Sequence, residues 1–191
     1  TIASAFDEVG VSHLLCYEMS DRDGVESRDK GLAETENYLK SKRQGLVGLH
    51  ASFTVGDELL RKAVDLAEKY NSGMHVHVAE DAVDQEDCLK NYSKRVVERF
   101  NDFDVLNFSK TILAHCLHID DKERDIIEES NAYVVHNADS NLKNAVGNFN
   151  GKNLGKKIML GTDGMHSDML RSAKSSFMVG QKMESLDFNS I

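Results

Sequence analysis

The chain has 191 residues, and its 32 acidic against 23 basic side chains leave a formal charge of −9. That balance argues against nucleic acid or an anionic membrane surface as the partner, because both reward clustered Lys and Arg. Apolar residues make up 40% of the chain, enough for a buried core, while no apolar run approaches the roughly 20 residues of a membrane span and no basic start with an apolar stretch suggests a signal peptide.

In chain order, short β-rich runs alternate with helical patterns. A strand is expected over 12–18 (SHLLCYE) and a helix over 34–42, then a strand over 46–53 (LVGLHASF) and a helix over 57–70. That second helix is the clearest: Asp57 can cap it, and Leu59, Leu60, Ala63, Val64, Leu66 and Ala67 recur at helical spacing. Asn71 and Gly73 supply its stop. A strand over 74–79 (MHVHVA), a helix over 87–100, a strand over 111–119 (TILAHCLHI) and a helix over 122–130 follow. Strands over 132–137 (AYVVHN) and 157–162 (KIMLGT) complete the series. The runs are apolar along most of their length, as strands covered on both faces are.

Strand, helix, strand at this spacing is the mark of parallel βαβ units. Six parallel strands suit either a doubly wound sheet or most of a (β/α)8 barrel. The polar residues decide. His50, His77, His115, His136 and Asp163 all stand at or near the C-terminal ends of expected strands. In a barrel those ends converge on one mouth, whereas a doubly wound sheet spreads them along a line. No GxGxxG follows the first strand and no P-loop is present, so nucleotide-fold readings lose their main support. The expected fold class is therefore α/β, a TIM-like (β/α)8 barrel.

Imidazoles recurring at successive strand ends, completed by the aspartate in Gly161-Thr162-Asp163-Gly164, are the ligands of catalytic Zn or Fe with one position left open for water. Such an ion brings the pKa of its water toward about 7 and needs a proton shuttle close by. Glu80, three residues after His77, is placed to turn back over the metal. The three cysteines, Cys16, Cys88 and Cys116, form no CxxC and no paired framework, which suits a reducing cytoplasm.

At these residues the sequence resembles the metal-dependent amidohydrolase superfamily, in its deaminase-like branch. The matching segments are HVAE at 77–80, AHCLH at 114–118, HNADSN at 136–141 (close to an HNPxSN pattern) and GTDG at 161–164, with GLHA at 48–51 upstream. Phrases such as CYEMSDRDG, HVHVAED and KRVVERF resemble a group of aminohydrolases or chlorohydrolases associated with selenium metabolism. The resemblance implies a metal-dependent hydrolase. It would act on a non-peptide C–N bond, or a C–Cl bond, of a small heterocyclic compound, with one divalent ion, Zn or Fe. His77 and Asp163 would be metal ligands, and Asp163 would also take a proton from the bound water. Glu80 would pass a proton to the ring nitrogen or leaving amine, and His115 would hydrogen-bond the attacking hydroxide or the developing oxyanion. His50 would contact substrate, and His166, in the loop after the last strand, would contact substrate or solvent. His136, Asn137 and Asn141 would hold the loop after strand seven. Tyr17, Glu18 and the Asp21–Gly24 turn read as a solvated charged loop, or Arg22 as a contact for a substrate anion.

The superfamily also carries an HxH pair on its first strand, which supplies two further ligands, and nothing before Ser12 provides one. His75-Val76-His77 looks like such a pair, but Glu80 at its offset marks the segment as strand five, with His75 packing inside. The expectation is that residues 1–191 form one partial barrel domain covering strands three to eight of a longer protein. Its bare strand edges would invite association, a homodimer among the outcomes. Two other readings stand beside this one. A catalytically inactive barrel could serve a metal-dependent assembly or sensing role, and a doubly wound binding protein would hold its histidines too far apart to share an ion.

Overall fold

The computed structural model describes residues 1–41 and 43–183. Six strands form a single parallel sheet: β1 (Glu18–Met19), β2 (Val47–Ala51), β3 (Met74–Val78), β4 (Ile112–His115), β5 (Tyr133–His136) and β6 (Ile158–Leu160). Their order in the sheet is their order in the chain. That order separates the two α/β alternatives. A doubly wound sheet reverses direction at a switch point, whereas strands laid down one beside the next with helical crossovers of one hand put every helix on the same face. This is the barrel arrangement, six strands of it.

The helices are α1 (Ile2–Val9), α2 (Gly24–Lys40), α3 (Asp57–Lys69), α4 (Ala82–Tyr92), α5 (Val96–Asp102), α6 (Asp121–Glu129), α7 (Ala138–Asn144) and α8 (Met169–Met183). Between sheet and helices lies the core. Val47, Leu49, Val76, Val78, Leu113 and Val134 from the strands meet Leu59, Leu60, Ala63 and Ile127 from the helices, all at most 2% exposed. None of the described helices is long and apolar enough to cross a membrane.

Several elements differ from the sequence expectation, each for a physical reason. The strand expected over 12–18 contracts to Glu18–Met19 plus an isolated bridge from Leu15 to Gly45. Helix α1 lies before it, held by a Thr1 side-chain cap and a left-handed Gly10. Helix α2 begins ten residues ahead of the expected start at 34. Its inward face escapes apolar periodicity because the buried residues are Arg28, Gly31 and Thr35. Arg28 reaches Glu58 at 3.1 Å. Gly31 permits a close approach in which a Cβ would stand 3.0 Å from Met19 Cγ. The expected end of that helix, Lys42, lies outside the described residues.

The cap of α3 is Gly56, not Asp57. Asp57 is already helical, and its carboxylate instead receives the buried Arg99 guanidinium at 2.9 Å. The single helix expected over 87–100 is two, α4 and α5, because Ser93 takes a left-handed φ of 55° and ends the first. The strand expected to run to Ile119 stops at His115, where φ is +73°, followed by Cys116 at +52°.

Candidate active site

The ends of β2, β3 and β4 and the turn after β6 bring His50, His77, His115 and Asp163 to one rim. The imidazoles form a row, with ring centroids 5.8 Å apart from His50 to His77 and 4.9 Å from His77 to His115. Glu80 Oε2 lies 3.3 Å from His77 Nδ1 and 3.5 Å from His115 Nε2. Asp163 Oδ2 lies 3.9 Å from the same His115 nitrogen.

Strand alternation places only part of this row. Along β3, Met74, Val76 and Val78 are buried against the helices, so His75 and His77 take the opposite face. In β4, His115 stands in register with Val78 and two residues after Leu113, so simple alternation would send it into the helix layer. Its left-handed backbone re-aims the ring toward His77. Asp163 also has a positive φ, +51°, as does Ala79 at +45° immediately before Glu80. Non-glycine residues in this region are uncommon and cluster where the surrounding structure imposes them.

Neighbouring side chains hold the four groups. The Thr54 hydroxyl donates to the Ala51 carbonyl at 3.1 Å and therefore accepts from His50 Nδ1 at 2.8 Å, which leaves His50 Nε2 as an acceptor. Asp84 is 2% exposed, and its two oxygens accept the N–H groups of Ala79 (2.9 Å) and Phe53 (3.0 Å). That one carboxylate ties the loop carrying Glu80 to the loop following His50. On α7, the Ser140 hydroxyl donates to Asp163 Oδ2 at 2.5 Å, and Asn141 Oδ1 sits 2.8 Å from His115 Nδ1. The backbone N–H of Gly164 donates to Asp163 Oδ1 at 2.7 Å.

Burial and pairing pull the titrations apart. Burial holds His50 and His115 below the ordinary imidazole value. Burial also acts to lower His77, but the Glu80 carboxylate at its side outweighs it and the net shift is upward. Glu80 is lowered in turn, chiefly by its bond to His77. Burial acts to raise Asp163, yet the Ser140 hydroxyl and the Gly164 N–H leave it below the usual carboxylate range. Asp84, bonded to backbone N–H groups in place of a cation, is pushed up to about 6 by burial.

The other sequence candidates fall around this centre. His166 is fully engaged by the chain, with Nε2 3.2 Å from Asp139 Oδ2 and Nδ1 accepting the Asp168 N–H at 3.0 Å. His136 is buried, stacks on Phe149 at 4.6 Å and is pushed down to about 4 by burial. His75 lies 3.8 Å from the Cys16 sulfur. Arg22 is exposed and pairs with Glu18 at 3.2 Å, as in a solvated charged turn. Sequence patterns do not single out Asp84 or Thr54, and they include Ser140, in HNADSN, without giving it a role. Their roles depend on loops from different strands meeting, and no motif spacing reports that.

His77, Glu80 and His115 each offer one ligand atom within 4.8 Å of the others. Two imidazole nitrogens and a carboxylate oxygen, with Asp163 beside them, are a donor set that suits Zn or Fe. A cavity of about 300 Å³ opens next to them, lined by His50, Phe53, His77, Glu80, Val83 and Val146 among others.

A parallel barrel that gathers imidazoles and carboxylates at its C-terminal strand ends has the layout of a metal-dependent hydrolase. The chain belongs to the amidohydrolase family, whose model matches residues 1–189. It is 34% identical over 178 residues to a 5'-deoxyadenosine deaminase of Methanococcus vannielii, covering 88% of this chain and 42% of that protein. It is 30% identical over 177 residues to a 5-methylthioadenosine/S-adenosylhomocysteine deaminase of Caldanaerobacter subterraneus subsp. tengcongensis, covering 87% of this chain and 41% of the relative. An adenosine deaminase from Xanthomonas campestris, solved with bound zinc, superposes with a TM-score of 0.85 at 20% identity, over 96% of this chain and 45% of the other. The chain thus spans less than half the length of the relatives it matches. Their names do not refer to selenium, and that association rests on the sequence phrases alone.

Proposed function

We propose that the complete protein is a zinc-dependent aminohydrolase of the cytoplasm that releases ammonia from a small heterocycle, with 5'-modified adenosines the first substrates to test. The observation that carries this reading is the convergence of His77, Glu80, His115 and Asp163 on one point beside a cavity. The deaminase relatives support the substrate class, and the zinc in the structural neighbour supports the choice of ion.

His77 and Asp163 would hold the metal, with Glu80 and His115 against it. A divalent ion bound there supplies a hydroxide nucleophile near neutral pH. Asp163 is poised as an ionised base, since Ser140 and Gly164 stabilise its charge, and it can take up the proton released at that step. Glu80, held ionised beside His77, lies within reach of both imidazoles, and once it has taken up a proton from solvent it can pass that proton to a ring nitrogen or to the departing amine. His115 orients the nucleophile through Nε2. His50, whose Nδ1 is committed to Thr54, presents its free nitrogen to substrate in the cavity. Dechlorination at an equivalent carbon needs the same groups, because attack on an electron-poor ring carbon serves either leaving group.

The test is Asp163→Asn in the complete protein, with zinc content and ammonia release from a heterocycle panel as readouts. Turnover should be abolished while the protein remains folded and partly metallated. Activity like that of the unsubstituted protein would refute the assignment.

A further inference from the structure

Among the side chains at this rim, Asn141 does not line the cavity, yet it makes the shortest contact to His115. The His115 ring is fully buried, so each of its nitrogens must find its partner within the protein. Nδ1 faces Asn141 Oδ1 at 2.8 Å, a good hydrogen-bond distance. Nε2 faces Glu80 at 3.5 Å and Asp163 at 3.9 Å, both too long for a good bond from N–H to carboxylate. A third neighbour points the same way. The Asn137 amide nitrogen lies 3.5 Å from His115 Nε2, and an amide N–H can only donate there. A neutral imidazole has one donor and one acceptor nitrogen, and the partner of one decides the other.

We propose that Asn141 is a positioning residue that locks His115 in the Nδ1–H form, so that its Nε2 lone pair faces the space shared by Glu80 and Asp163. His115 then receives a proton or ligates at Nε2, and does not donate from there. What His115 does with that lone pair rests on the metallohydrolase reading; the tautomer itself does not. Outer side chains that fix the tautomer of an imidazole at a metal typically carry about 10–100-fold in activity or metal affinity.

The substitutions separate this role from a purely structural one. Asn141→Leu removes the acceptor. Asn141→Asp keeps an acceptor oxygen at His115 Nδ1 and exchanges the amide nitrogen Nδ2, which has no hydrogen-bond partner among the described residues, for a second carboxylate oxygen and its charge. The readout is the protonation pattern of the His115 ring nitrogens by long-range 1H–15N NMR. It is taken on the complete, histidine-labelled protein after chelation, so that no metal dictates the tautomer. The unsubstituted protein and Asn141→Asp should show Nδ1 protonated and Nε2 bare, and Asn141→Leu should shift the ring toward Nε2–H. In the zinc-loaded protein, kcat for Asn141→Leu should fall about 10–100-fold, with KM changed far less and Asn141→Asp the less impaired of the two. Finding Nε2–H in the unsubstituted protein overturns the proposal, and this result needs no variant to fold. An unchanged tautomer in Asn141→Leu overturns it as well. If the unsubstituted protein holds zinc and the expected tautomer but releases no ammonia from any heterocycle, the hydrolase reading fails while the positioning role stands.

Discussion

Replacing Asp84 with Asn tests whether one buried carboxylate braces the rim. Asp84 is 2% exposed and accepts two backbone N–H groups, and burial raises its carboxyl from the ordinary 3.8 to about 6. A carboxyl that binds its proton more tightly folded than unfolded stabilises the fold below about pH 4. That contribution is lost as pH rises through about 6. With each unit worth 1.36 kcal/mol, roughly two units make the loss about 2–3 kcal/mol between pH 4 and 7. Asparagine cannot titrate, so Asp84→Asn removes this slope. It also turns an amide N–H toward either Ala79 or Phe53, leaving one backbone donor unpaired at a pH-independent cost of about 1–3 kcal/mol. Urea unfolding of both proteins at pH 4 and pH 7 separates the two effects. The variant should be the less stable at pH 4, and the gap should close by about 2–3 kcal/mol at pH 7. Stability differences that stay parallel across that range would show that Asp84 is not a desolvated carboxylate bridging the two loops.

His136 works in the opposite sense. Burial pushes it down to about 4, so it favours the fold above about pH 6.5 and that stability is lost as pH falls toward 4. His136→Phe, which keeps a ring to stack on Phe149, should flatten the acid limb by about 3 kcal/mol. The two residues partly cancel in the unsubstituted protein, so only the variants expose them. Ser140→Ala deletes the hydroxyl that holds Asp163 Oδ2 at 2.5 Å, and should cost about 10–100-fold in kcat/KM or zinc affinity, with unfolding little changed. At Gly161 an added Cβ would stand 2.3 Å from Asn137 Oδ1 and 2.5 Å from Val135 Cγ1. Gly161→Ala should therefore destabilise the protein by about 1–3 kcal/mol and displace Asn137, measured as a lower unfolding midpoint together with reduced ammonia release.

Much of the site is legible in the amino-acid sequence. His50, His77, His115 and Asp163 share one rim because each stands at or just past the C-terminal end of a strand of a barrel, and period-two alternation puts His77 on the face away from Val76 and Val78. Glu80 is legible from its three-residue offset after His77. The helices with apolar stripes, α3 above all, are equally plain. Only the later part of α2 shows in the sequence, because Arg28, Gly31 and Thr35 carry its inner face through an ion pair and a close approach, neither of which leaves an apolar period.

Amino-acid order alone carries the alternation of strands and helices, the parallel topology that follows from the crossover lengths, and the placing of His50, His77, His115 and Asp163 near strand ends. Hydrophobic periodicity and chain spacing are local properties, and they survive in the one-dimensional string. Tertiary structure alone decided how those groups are aimed and held. The left-handed turn at His115 swings its ring off the helix face. Asp84, Ser140 and Asn141 grip residues from other strands, and burial acts to raise both Asp84 and Asp163, while the Ser140 and Gly164 hydrogen bonds bring Asp163 down. Those effects arise from desolvation and from hydrogen bonds between segments up to 31 residues apart, which exist only once the sheet has closed the distance.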